Sequence, residues 1–265
     1  MTITAHPTTT RPLPTPTPGM KKIIILGATS GMAMEIERQL ARQGYELILV
    51  ARSSQRLAEM QADLLIRGAK QVLTYPADLS SIQQHAGVFD FTHRTLPDFD
   101  TVLLAYGSMR NQKESEMSVD SLLEELQVNF VSAAAILTLF AAELERRRTG
   151  CVAVITSVAG DRGRRSNYVY GSAKGALSLF LQGLRSRLHP SGVRVITIKP
   201  GPVQTPMTDH LPNAARFADP ELVASDIVCA LERRSPDILY TPKVWRYIMT
   251  AVQQIPESIF KRLSF

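Results

Sequence analysis

Short apolar runs recur along this chain, each followed by a longer stretch of helical periodicity, and that alternation leaves few folds open. The runs fall at 22–26, 47–51, 71–75, 101–105, 151–157, 193–199 and 238–240. Helical patterns fill the intervals near 32–43, 54–67, 80–92, 119–147, 167–188 and 220–233. Runs such as Lys22-Ile23-Ile24-Ile25-Leu26 are apolar after their first residue rather than alternating, so both faces of each strand must be buried. Strands of that kind separated by helices predict a parallel sheet of about seven strands, covered by helices on both faces.

The first unit sharpens the expectation to a Rossmann-type doubly wound α/β fold. Directly after the first strand comes Gly27-Ala28-Thr29-Ser30-Gly31-Met32-Ala33, leading into a helix. Small residues there let the backbone approach a pyrophosphate, and the helix N-terminus offers it unpaired N–H groups. The second strand ends in Ala51-Arg52-Ser53-Ser54, with no acid to bind a ribose 2′-hydroxyl. An arginine in that place accommodates a 2′-phosphate, so Arg52 favours NADPH over NADH.

Chemistry is signalled further on. Tyr170 and Lys174 stand four residues apart in a helical stretch, hence on one face, and Ser157 closes an apolar strand thirteen residues before Tyr170. A lysine ammonium beside a phenol lowers its pKa, and a phenol so tuned can protonate a carbonyl oxygen that Ser157 holds. The set suits interconversion of a carbonyl and an alcohol.

These motifs resemble the short-chain dehydrogenase/reductase family over roughly residues 21–240. The resemblance implies catalytic roles for Ser157, Tyr170 and Lys174, with Asn129 as a fourth catalytic residue. It implies a dinucleotide held by Gly27, Thr29, Ser30, Gly31 and Met32, by Asp78 and Leu79, by Ala105 and Gly107, and by Tyr170 and Lys174. Pro200, Gly201, Val203 and Thr205 then correspond to the segment that closes over the nicotinamide. Two departures stand out: Ala33 replaces the third glycine, and Leu104-Ala105-Tyr106-Gly107 replaces the family's Asn-Asn-Ala-Gly.

A narrower resemblance runs from Ser157 through Asp161-Arg162-Gly163-Arg164-Arg165-Ser166-Asn167 to Tyr170, and through Trp245-Arg246-Tyr247-Ile248-Met249 and Ile255-Pro256-Glu257-Ser258-Ile259-Phe260-Lys261-Arg262-Leu263. These stretches are similar to the decaprenylphosphoryl-2-keto-erythropentose reductases of arabinan precursor synthesis. The resemblance implies a 2-keto sugar on a polyprenyl phosphate as substrate, NADH as cofactor, and a flavin-dependent oxidase partner. Homo-oligomerisation is expected with it.

Arg162, Arg164 and Arg165 lie in a connection whose two ends belong to the catalytic set. Their guanidinium forks suit a phosphate at the mouth of the site; pairing with Asp161 or a neighbouring subunit is the other reading. Residues 241–265 form an extension with Val244, Tyr247, Ile248, Ala251, Val252 and Ile255 on one helical face. Packing is expected of its first part, and peripheral membrane contact of the aromatic and basic end from Phe260 to Phe265.

The net charge of +6 suits an anionic cofactor or substrate, and dispersal of the basic residues argues against nucleic acid. Cys151 and Cys229 suggest neither a disulfide framework nor a metal site, and fit a reducing cytoplasm. The apolar stretch 130–142 is short for a bilayer. Residues 1–19 read as a disordered Thr/Pro leader ahead of a catalytic domain over 20–240. Two alternatives remain at this stage: a reductase of another hydrophobic ketone or ketoacyl group, and a non-catalytic dinucleotide sensor.

Overall fold

The computed structural model describes residues 21–211, 213–232 and 236–263; the Thr/Pro leader and Phe265 lie outside them. Seven strands form one parallel sheet: β1 Lys22–Leu26, β2 Glu46–Ala51, β3 Gln71–Pro76, β4 Thr101–Leu104, β5 Cys151–Ile155, β6 Arg194–Pro200 and β7 Ile238–Thr241. Their order is β3-β2-β1-β4-β5-β6-β7. The chain therefore winds outward in one direction from β1 and returns to wind outward in the other from β4. β1 pairs with β2 and β4 at once, with Ile24 opposite both Ile48 and Val102. Ligands of such sheets bind where the winding reverses, beyond the carboxyl ends of β1 and β4.

Alternate residues of each strand feed two separate cores. On one face, Ile23 and Ile25 pack under α1 (Gly31–Arg42), α2 (Ser54–Ile66) and α8 (Pro220–Glu232) through Ile36, Leu40, Leu57 and Ile227. On the other, Ile24 and Leu26 pack against α3 (His85–Thr95), α6 (Ser132–Arg147) and α7 (Tyr168–Leu188) through Val88, Leu137, Phe140 and Leu177. Two short helices, α4 (Gln112–Met117) and α5 (Val119–Leu126), precede α6.

The expected helix over 119–147 is continuous but not uniform, because residues Gln127–Val131 form a π-turn between α5 and α6. By length and composition Val119–Arg147 could cross a membrane. Ile136, Leu137, Phe140 and Leu144 are wholly buried in the protein's own core, so it is a core helix. The extension folds as α9 (Val244–Gln254) and α10 (Glu257–Phe260).

Candidate active site

β5 stops two residues earlier than its sequence suggests. The Thr156 hydroxyl donates to the carbonyl of Ile198 at 2.9 Å, and Ser157 leaves the sheet to cap a single turn of helix, its Oγ accepting from the N–H of Ala159 at 3.1 Å. That turn lies hard against α7: a Cβ on Gly160 would come within 2.6 Å of the Gly175 nitrogen. Close approach of the two backbones brings the Ser157 hydroxyl beside the Tyr170 phenol. Lys174, one turn along α7, is buried, and its Nζ donates to the carbonyl of Ile155 at 3.4 Å.

The protonation states differ from the sequence expectation. Burial pushes the Tyr170 phenol up to about 12, with the neighbouring Ser157 hydroxyl opposing it. The Lys174 Nζ stands 5.8 Å from the phenol ring centroid and is itself driven down to about 8 by burial. The Glu125 carboxylate opposes that fall.

Asn129 is wholly buried inside the π-turn, where an extra residue per turn rotates its amide out of the helix register. Its Nδ2 donates to the Ser108 carbonyl at 3.0 Å and to Glu125 Oε1 at 2.9 Å, and its Oδ1 accepts from the N–H of Ser108 at 3.2 Å. Gly107 is bare for a reason: a Cβ there would sit 2.6 Å from Asn129 Oδ1 and 3.1 Å from Lys174 Nζ. Ser157, Tyr170, Lys174, Asn129 and Gly107 are thus brought together, as expected. Glu125 was missed, although it lies four residues before Asn129 and so on the same helical face.

The expected cofactor residues line the carboxyl edge beside this group. Gly27 turns the chain at φ +92°, Ser30 Oγ caps α1 by accepting from the Ala33 N–H at 3.3 Å, and the first turn of α1 carries no acid. A glycine cradle and an acid-free helix N-terminus fit a pyrophosphate. Met32 packs on the core beside them. Arg52 is exposed after β2 and its charge helps hold the Asp78 carboxyl low, behind the larger effect of the Ser80 hydrogen bond. Asp78 accepts from the Ser80 hydroxyl at 2.8 Å and N–H at 3.0 Å, and Leu79 is buried after it. Ala105 continues β4, its N–H bonded to the Leu26 carbonyl at 2.8 Å. Tyr106, where the family has a small residue, packs inward with its hydroxyl 2.9 Å from Ser132 Oγ. After Pro200, Gly201 lies under the Trp245 indole, Val203 bridges to Ala218, and the Thr205 hydroxyl meets that of Thr208 at 3.2 Å. Among the described residues, no group of three or more His, Cys, Asp or Glu could hold a metal ion.

The three arginines part company. Arg162 turns away from the site: its Nη1 donates to the carbonyls of Val252, Gln253 and Ile255 at 2.9, 3.1 and 2.7 Å. Its Nη2 reaches Glu257 at 3.0 Å, and its guanidinium lies 3.9 Å from the centroid of Phe260. Its donors are committed to the end of α9, so Arg162 is a clamp on the extension rather than a phosphate ligand. Arg164 stays in the loop, with Nε buried and without a hydrogen-bond partner among the described residues, and burial lowers its pKa. Arg165 is exposed. Asp161 pairs with Lys199 and accepts from the Tyr240 hydroxyl at 2.9 Å instead of pairing with the arginines.

The extension departs from expectation at Phe260 and along one face of α9, while Ile259, Lys261, Arg262 and Leu263 are exposed. Phe260 is buried beneath Arg162, whereas Val244, Tyr247 and Ile248 stand exposed along one face of α9, flanked by exposed Lys243 and Arg246.

Comparison with known proteins agrees with this architecture. The family model for short chain dehydrogenases matches residues 21–215. An uncharacterized oxidoreductase of Mycobacterium tuberculosis is 31% identical over 245 residues, covering 92% of this chain and 98% of that one. Another, from Streptomyces coelicolor, is 32% identical over 244 residues, covering 92% and 96%. The structure of an alcohol dehydrogenase from Thermococcus sibiricus, complexed with 5-hydroxy-NADP, superposes with a TM-score of 0.75 at 26% identity, covering 90% of this chain and 100% of that one. The chain belongs to the short-chain dehydrogenase family and is an NAD(P)-dependent oxidoreductase.

Proposed function

We propose that the protein reduces the ketone of a sugar carried on a polyprenyl phosphate. The observation that carries this reading is Arg164: a cation in the loop between Ser157 and Tyr170, with a buried Nε that no group among the described residues satisfies. A guanidinium left that way costs free energy unless an anion completes it, and a substrate phosphate would do so. Arg165, exposed beside it, adds positive charge at the same mouth. The exposed apolar face of α9 supplies the second requirement, a surface that keeps the first isoprene units out of water or rests on a membrane. Burial of each chain CH₂ contributes about 0.8 kcal/mol, so a short covered length already raises affinity.

A nicotinamide dinucleotide held by the residues along the carboxyl edge would supply the hydride. Tyr170 gives its proton to the carbonyl oxygen, which Ser157 steadies by hydrogen bonding. Reduction needs the phenol protonated, and a phenol whose pKa burial raises to about 12 is protonated throughout the physiological range. Lys174, as ammonium, stabilises the tyrosinate that proton transfer leaves behind. Asn129 keeps the loop carrying Gly107 and Ser108 in place beside it. Arg52 would meet a 2′-phosphate, which would make NADPH the preferred donor; the Thermococcus sibiricus structure in complex with 5-hydroxy-NADP supports this.

Arg164→Gln tests the phosphate contact. The variant should lose activity on a phosphorylated keto sugar by about tenfold or more and retain it on the unphosphorylated sugar. Equal activity on both substrates would remove the phosphate from the proposal.

A further inference from the structure

Glu125 is the acid that the fold sets behind the catalytic lysine. It sits in α5 and is 1% exposed, a place where a carboxylate is costly unless it is held. It is held on every side: Oε1 accepts from Asn129 Nδ2 at 2.9 Å, and Oε2 accepts from the Ser108 hydroxyl at 3.1 Å and the Arg110 N–H at 3.2 Å. The carboxylate thus closes a ring through the loop after β4 and the π-turn, the two segments that place Gly107 and Asn129 over Lys174.

The charges around it come from three elements. From the loop, the Arg110 guanidinium faces it but is bound to the neighbouring Glu124. From α7, Lys174 and Tyr170 face it. From α5 itself comes Glu124, turned outward to Arg110. The Glu125 carboxylate favours both the charged lysine and the protonated phenol. Those are the two states that carbonyl reduction requires.

We propose that Glu125 is a positioning residue of the active site: its buried carboxylate orients the Asn129 amide and keeps Lys174 in the ammonium form. The inference rests on the catalytic roles proposed above for Tyr170 and Lys174. A neutral Gln at 125 keeps the shape and removes the charge, so Lys174 must lose its proton more easily. The sign follows from burial, which already holds Lys174 down at about 8 against the pull of Glu125. Removing that pull takes the lysine lower still.

The test follows the side-chain nitrogen of Lys174 by NMR in the cofactor-free protein, with the resonance assigned by its loss in Lys174→Met. Glu125→Gln should lower the Lys174 titration by about one pH unit, and the alkaline limb of kcat/KM should move down with it. A Lys174 titration unchanged by Glu125→Gln overturns the proposal. Because the NMR titration needs no turnover, it separates this inference from the proposed reaction, which fails instead if Tyr170→Phe retains activity. Should the Gln variant not fold, Glu125→Asp keeps the charge while withdrawing it from Asn129. Lys174 should then titrate as in the wild type while kcat falls about tenfold. Unchanged kcat in the Asp variant overturns the positioning role.

Discussion

Arg162→Ala should release the C-terminal extension from the catalytic loop. The wild-type side chain is 15% exposed and directs one nitrogen at three backbone carbonyls near the C-terminal end of α9, between 2.7 and 3.1 Å. That nitrogen carries two hydrogens, so two full charge-assisted bonds are the limit, worth about 1.5 kcal/mol each at the lower end of their range. The guanidinium over Phe260 adds about 1 kcal/mol. The pair with Glu257 contributes little, because Glu257 is 76% exposed. Since such terms are not additive, we take about 3 kcal/mol for the whole clamp. Each 1.4 kcal/mol is about a factor of ten, so amide exchange in α9 and α10 should accelerate on the order of a hundredfold. Exchange in the β-sheet should change far less, because the clamp touches only the extension. Hydrogen exchange with mass spectrometry resolves the two regions. Unchanged protection over 244–260 in Arg162→Ala would refute the assignment of Arg162 as a clamp and return it to the list of substrate ligands.

Other outcomes follow from the same geometry. Tyr170→Phe should abolish ketone reduction while cofactor affinity, measured by fluorescence titration, changes little. Gly107→Ala places a methyl 2.6 Å from Asn129 Oδ1, so kcat should fall by about tenfold or more in steady-state assays even though only one methyl is added. Arg52→Ala should weaken NADPH binding without affecting NADH; an equal loss for both would show that Arg52 does not read the 2′-phosphate. Glu37 is wholly buried with both carboxyl oxygens unpartnered among the described residues, and burial raises its pKa well above the usual glutamate value. A raised acid leaves the folded state more stable in its protonated form, and that stability is lost as pH rises through the folded pKa. Urea titrations of Glu37→Gln should therefore show a gain over wild type at pH 8 and no gain at pH 4.

Strand positions were legible because short, non-alternating apolar runs have few alternatives, whereas the strand order and its reversal between β1 and β4 come from the structure. Ser157, Tyr170 and Lys174 were legible as a spacing. Their protonation states were not, since those depend on burial and on Glu125, which reaches Lys174 only once the loop after β4 has folded beside the π-turn. The π-turn itself leaves no mark on the apolar periodicity of 119–147. Arg162 and Arg164 look equivalent as neighbours in a basic loop. Their difference arises because α9 returns to that loop some ninety residues later and offers its terminal carbonyls to Arg162 alone. The same docking explains why Phe260 is buried and the apolar stripe of α9 faces outward, which a helical wheel cannot distinguish from the reverse.

The central claim is tested most directly by mixing the purified protein with NADPH or NADH and a synthetic polyprenylphosphoryl 2-keto sugar, and following cofactor oxidation together with the sugar product. The account predicts one alcohol formed per cofactor oxidised, at a kcat/KM well above that for a soluble, unphosphorylated keto sugar. Absence of oxidation with that substrate, from protein that binds the cofactor and reduces another ketone, would contradict it.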